Sequence, residues 1–246
     1  MTQHGEEAIL ARRAEAPDLR LTTDTEKPPG HGEAPQSGQA PASPPPAGPP
    51  PEEELPLPPD RTQAILEATK RVGALLKKKG HRFALAGSVA AYAHGVSKSL
   101  QHDADFCVRP EDAEAVAATL AEAGIAVRTP PEDWLIKATC YDQNIDIIFE
   151  LAQQPVSTEM LDRAEEMPVD SVRMPVLAPT DLVGSLVAAF SEHHCDFGAV
   201  LPVARTLREK VDWERVRGDC GDAPMSAAFL FLLERLNVIA PPKEQS

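Results

Sequence analysis

The stretch Phe83–Asp105, FALAGSVAAYAHGVSKSLQHDAD, decides how the rest of the chain is read. Its apolar start, Phe83 to Ala86, predicts a short strand that breaks at Gly87-Ser88. Ser88 to His94 then has the composition of a brief helix ended by Gly95, and a second strand is expected from Asp103 to Val108. Asp103 and Asp105 are two residues apart. On a strand that spacing sends both carboxylates to one face, while Ala104 turns into the core. Like charges held so close repel unless a cation lies between them, and carboxylate oxygens suit a hard divalent ion, Mg²⁺ above all.

A third acid of interest is Asp146, between Ile145 and Ile147 in the strand-like NIDIIFE. An ionised carboxylate among branched apolar residues is costly if it faces the core. It is sensible in a metal-lined cleft, and equally so on a solvated sheet face with no function. Gly87-Ser88 stands where a strand passes into a helix, a geometry that offers backbone N–H groups to a phosphate. A plain turn with a serine N-cap is the ordinary alternative.

Outward from this stretch, Asp60 is a candidate cap for a helix bearing Ile65, Leu66, Val72, Leu75 and Leu76 on one side, stopped by Lys77-Lys78-Lys79-Gly80. Pro110-Glu111-Asp112 opens an alanine-rich helix to Glu122, closed by Gly124, and a strand is expected from Ala126 to Arg128. Trp134 to Tyr141 and Ile145 to Leu151 read as strands joined by a turn at Asp142-Gln143-Asn144. Beyond them the periodicity turns helical: Asp181 to about His193, Phe197 to Glu209, Trp213 to Arg217 and Ala223 to Leu236, with Thr180 and Asp222 as expected caps. The fold class is therefore α/β (α+β), a mixed sheet with flanking helices followed by a helical carboxyl-terminal part. The expected divisions are residues 1–59, 60–178 and 179–246.

The amino-terminal division differs in composition. Of the 25 prolines, 13 lie between Pro28 and Pro59, with so little apolar surface that an ordered core is not expected there. It reads as a disordered acidic tail, a spacer before it is a PxxP ligand. The whole chain of 246 residues carries a net charge of −14, and from Asp60 onward 20 basic residues face 28 acidic ones. That balance argues against duplex DNA or an anionic membrane as partner, and an aromatic content of 4% leaves little for stacking single strands. No apolar run resembles a signal peptide or a membrane span, so a cytoplasmic location is expected. Cys107, Cys140, Cys195 and Cys220 have no metal-ribbon spacing and are expected to be reduced, mostly buried thiols. His193-His194-Cys195-Asp196 has the residue types of a metal site, but neighbours on a helix point in different directions, and no site is expected there. Trp134 and Trp213 are expected to be packing residues.

Taken in order, Ala86-Gly87-Ser88, then Asp103-Ala104-Asp105-Phe106, then Asp146 on a later strand, the sequence resembles the nucleotidyltransferase superfamily that includes DNA polymerase β. The likeness spans Arg61 to Val238. Ala93 to Val96 and the helical Thr180 to Val216 resemble more narrowly the small bacterial nucleotidyltransferase-like proteins grouped near the AbiEii-type toxins. The resemblance implies transfer of a nucleoside monophosphate from a nucleoside triphosphate to an acceptor hydroxyl, with release of pyrophosphate. The acceptor would be an RNA end, a protein or a small molecule. It implies Mg²⁺ or Mn²⁺ on Asp103, Asp105 and Asp146, with Asp146 also able to take the acceptor proton. Gly87 and Ser88 would contact the phosphates, and Lys98, close to the Gly-Ser helix, is a further candidate. The narrower likeness also implies an antitoxin-like partner. Two departures stand out: fourteen residues separate Ser88 from Asp103, at the long end of the family's range, and Ser185 stands where relatives often carry lysine. The alternative they raise is a catalytically degenerate member serving as a nucleotide-binding or interaction module.

Overall fold

The computed structural model describes residues 60–96, 100, 103–220 and 222–242. The proline-rich tail, Lys98 and His102 lie outside these residues. The first element, helix α1 (Arg61–Lys79), buries Ile65, Leu66, Ala68, Thr69, Val72, Gly73 and Leu76, a stripe at helical spacing. Gly80 ends it in the left-handed conformation, its N–H bonded back to Leu76 and Lys77 carbonyls. Asp60 precedes the helix, but its side chain makes no capping bond.

Strand β1 (Ala84–Ala86) runs into helix α2 (Gly87–Ala93), and strand β2 (Ala104–Cys107) follows. A 3-10 turn (Pro110–Asp112) leads into α3 (Ala113–Glu122), then β3 (Ala126–Arg128), β4 (Leu135–Cys140) and β5 (Gln143–Ile148). A two-stranded ribbon, β6 (Glu150–Leu151) with β7 (Gln154–Pro155), and a short α4 (Thr158–Asp162) precede β8 (Glu165–Val169) and β9 (Val172–Val176). Four helices complete the described chain: α5 (Pro179–Ala188), α6 (Phe197–Leu207), α7 (Trp213–Cys220) and α8 (Pro224–Arg235).

Seven strands form one mixed sheet in the order β3-β4-β5-β2-β1-β9-β8. β2 pairs β5 and β1 pairs β9 in parallel, while the other neighbours are antiparallel. Ala84, Leu85, Ala104, Phe106, Ile145 and Ile147 are fully buried in its middle. At roughly 1.5–3 kcal/mol for each large apolar side chain removed from water, this central block dominates the stability of the sheet.

Two expectations are corrected by the structure, and one hairpin is new. The β4–β5 turn is a two-residue one at Tyr141-Asp142, both with positive φ (51° and 56°), so Gln143 and Asn144 belong to β5. The hairpin β8–β9 was not among the expected strands; its Pro168 lies on β8, the sheet's edge, which tolerates a proline. Thr180 and Asp222 are not caps. Ala178 and Ala223 hold those positions, each followed by a proline in the first helical turn, and the Thr180 hydroxyl instead accepts from the Asp212 N–H at 3.0 Å.

The carboxyl-terminal helices are tied on by apolar packing and one buried ionic knot. Phe190 packs edge to face on Phe197 and Phe229, which are tilted against each other, with centroids 4.8–5.1 Å apart. Asp181, in the first turn of α5 with its side chain 1% exposed, accepts two bonds from Arg163 at 2.9 and 2.8 Å and one from Arg215 at 2.6 Å. Two guanidinium groups thus satisfy one carboxylate that would otherwise be costly to bury.

Candidate active site

The parallel register of β2 and β5 sets Asp105 directly beside Asp146, and the antiparallel register of β5 and β4 sets Lys137 opposite Asp146. Extending the same row, Arg128 lies opposite Lys137 and Ala86 opposite Asp105. Partners in register project from the same face, so Arg128, Lys137, Asp146 and Asp105 form a single row across the sheet, two cations then two anions. Asp103 joins it from just before β2. Its Oδ1 accepts from Asn144 Nδ2 at 3.2 Å, and its Oδ2 lies 3.8 Å from Lys137 Nζ. The Lys137 ammonium contacts both oxygens of Asp146, at 3.0 and 2.9 Å.

Asp105 has no hydrogen-bond or ion-pair partner of its own among the described residues. Burial, together with the negative charges of Asp146 and Asp103, pushes its carboxyl up to about 7, against the weaker pull of Lys137. Burial also raises Asp146, opposed by the hydrogen bonds and charge of Lys137. A site that strains its own carboxylates toward the protonated form is one that a cation would relieve.

Gly87 makes the close approach possible. It opens α2 with φ at 56°, and a Cβ built there would stand 1.9 Å from Asp105 Oδ2. Any side chain would therefore meet both a strained backbone and the carboxylate itself. Beside it, the Ser88 hydroxyl is buried with no hydrogen-bond partner. An unpaired buried hydroxyl at this strand-to-helix turn leaves polar capacity for a ligand.

The donor set is all oxygen and suits Mg²⁺ or Mn²⁺. As arranged, however, no three His, Cys, Asp or Glu side chains among the described residues converge to share one ion. Asp146 is turned to Lys137 instead. Ser185 offers no charge, its hydroxyl donating to the Leu182 carbonyl at 2.8 Å. His94 is buried, its ring bonded through Nε2 to the Leu177 carbonyl at 2.8 Å, and serves the packing of α2. His193, His194, Cys195 and Asp196 are exposed and form no cluster, Asp196 capping α6 through the Ala199 N–H. Cys107, Cys140 and Cys220 are buried free thiols and Cys195 is an exposed one. Trp213 is half-buried, its Nε1 donating to the Arg208 carbonyl at 2.9 Å, whereas Trp134 is 38% exposed.

Lys137, Asn144 and Arg128 did not stand out in the sequence. Lys137 and Asp146 are equidistant from the Tyr141-Asp142 turn, which brings them face to face. A turn centred on Gln143 sets Cys140, not Lys137, opposite Asp146. Correct placement of a two-residue turn was the signal that would have found the pair.

No helix among the described residues is long and apolar enough to cross a membrane. No family model matches the sequence and no curated protein does. Among solved structures the chain is similar to the antibiotic-resistance factor ANT(2'')-Ia, with 15% identity and a TM-score of 0.47 over 72% of this chain and 96% of that one. It is similar to the lincomycin-bound lincosamide antibiotic adenylyltransferase LnuA, with 11% identity and a TM-score of 0.41 over 56% of this chain and 94% of that one. A third likeness is to the Megavirus polyadenylate synthase, with 13% identity and a TM-score of 0.39 over 61% of this chain and 31% of that one.

Proposed function

We propose that the protein is a cytoplasmic, metal-dependent nucleotidyltransferase that moves a nucleoside monophosphate from a nucleoside triphosphate to an acceptor hydroxyl and releases pyrophosphate. The observation that carries this reading is the register of β2 against β5, which sets Asp105 beside Asp146 with Asp103 two residues before it, and the close approach of Asp105 to Gly87. Asp103, Asp105 and Asp146 would hold Mg²⁺ or Mn²⁺, which when bound supplies charge to the triphosphate and acidifies the acceptor hydroxyl. Gly87 leaves room beside Asp105, and the free Ser88 hydroxyl donates to a phosphate oxygen. Asp146, raised by its burial, is suited to accept a proton from the acceptor. Arg128 and Lys137 continue the row away from Asp105 and give that side positive charge.

A second reading, that of a degenerate member binding nucleotide without turnover, is favoured by one observation: Asp146 is engaged by Lys137 and the three carboxylates do not converge. The two readings separate in one assay. The protein is incubated with each α-labelled triphosphate, Mg²⁺ or Mn²⁺ and cell lysate, and label is sought on RNA, protein and small molecules. The expected result is labelling of one acceptor class by wild type and a loss of about a thousandfold in Asp103→Asn. Equal labelling by Asp103→Asn, or none by wild type with either metal, excludes the enzyme.

A further inference from the structure

We propose that Lys137 is a built-in cation of the acidic row, which holds Asp146 beside Asp103 until a divalent ion displaces it and so sets how tightly the site takes metal. This rests on reading the row as a metal-dependent centre.

Three observations lead to it. The Lys137 ammonium straddles both oxygens of Asp146 and stands 3.8 Å from Asp103, bridging two of the three acids. Its side chain is 24% exposed and that of Asp146 12%, so the pair is sheltered and its attraction is weakly screened. Asp105, the third acid, makes no hydrogen bond or ion pair with Lys137. The row therefore has an ammonium against Asp146 and Asp103 and none against Asp105.

The physical consequence is competition. A divalent ion shared by Asp103 and Asp105 gains a third ligand only when Asp146 leaves the ammonium. Breaking that pair opposes metal binding, while keeping it holds the parallel strand ends β2 and β5 together in the metal-free protein. Lys137 acts here through Asp146 and Asp103, and is a positioning residue.

The test is Mn²⁺ binding, measured on the full chain by paramagnetic resonance of free Mn²⁺ and by thermal unfolding with and without the ion. Lys137→Met keeps the length of the stem and removes the charge. The expected result is Mn²⁺ binding about tenfold tighter than wild type, a lower unfolding temperature without metal, and a larger rise when Mn²⁺ is added. Lys137→Gln, a second neutral variant, should behave alike should the methionine variant not fold, and Lys137→Arg should keep the weak binding of wild type. Mn²⁺ binding by the neutral variants that is no tighter than wild type, or by Lys137→Arg as tight as by Lys137→Met, overturns the proposal. Absent nucleotide transfer alongside tighter Mn²⁺ binding in Lys137→Met removes the reaction and leaves the role of Lys137 standing.

Discussion

At pH 8 and without divalent metal, Asp105→Asn unfolds at a temperature roughly 8–16 °C above that of wild type. The Asp105 carboxyl is raised to about 7 in the folded protein by burial and by the neighbouring charges of Asp146 and Asp103, whereas an unfolded chain carries it near an ordinary carboxylate value of about 4. Below about pH 4 both states hold the proton and the folded state suffers no penalty. Between about pH 4 and 7 the unfolded chain has released the proton while the folded one keeps it, so stability falls as pH rises. Above 7 the full cost, on the order of 4 kcal/mol, is present, and a neutral asparagine of the same shape escapes it. The two proteins should therefore converge in stability toward pH 4 and diverge toward pH 8, which thermal melts across that range measure directly. The same substitution is expected to abolish transfer and the stabilisation by Mg²⁺. Equal melting temperatures at pH 8 would mean that Asp105 is neither desolvated nor crowded by its neighbours.

Asp181→Ala is expected to lower the stability by about 3 kcal/mol, read as the denaturation midpoint in urea at constant slope. The carboxylate is almost wholly buried and accepts three charge-assisted bonds, two from Arg163 after α4 and one from Arg215 on α7. Its removal leaves two like charges side by side over a desolvated hole. Arg163 and Arg215 are 40% and 38% exposed and can turn partly to water, which limits the loss. Arg163→Ala or Arg215→Ala alone should cost less than Asp181→Ala, because each leaves the carboxylate one guanidinium. A midpoint for Asp181→Ala within experimental error of wild type would show that the knot adds nothing to the docking of α7.

What the sequence made legible follows from local physics. Gly87-Ser88 between an apolar run and a small-residue helix, and Asp103-x-Asp105 flanked by buried residues, are local patterns, and the strands and helix appear where those patterns lie. The alternation of Ala104 and Phe106 with Asp103 and Asp105 was readable because a strand has a period of two. What was not readable depended on register or on distant residues. Tyr141 and Asp142 adopt positive φ without a glycine to announce it, so the turn was misplaced by more than one residue and Lys137 was paired with nothing. No strand was expected at the β8–β9 hairpin, whose inner strand is held beside β1 by the Leu177 N–H on the Leu85 carbonyl, 2.9 Å. Asp181 gave only the sign of a helix start. Its partners Arg163 and Arg215 are 18 and 34 residues away, and no periodicity connects them.

The central claim is that the acidic row beside Gly87 and Ser88 takes a triphosphate together with a divalent ion. It is tested most directly by calorimetric titration of a non-hydrolysable nucleoside triphosphate into the protein with and without Mg²⁺, for wild type and Asp105→Asn. The expected result is saturable binding that requires Mg²⁺ in wild type and is lost in the variant. Binding of equal strength without Mg²⁺, or unchanged by Asp105→Asn, contradicts the claim.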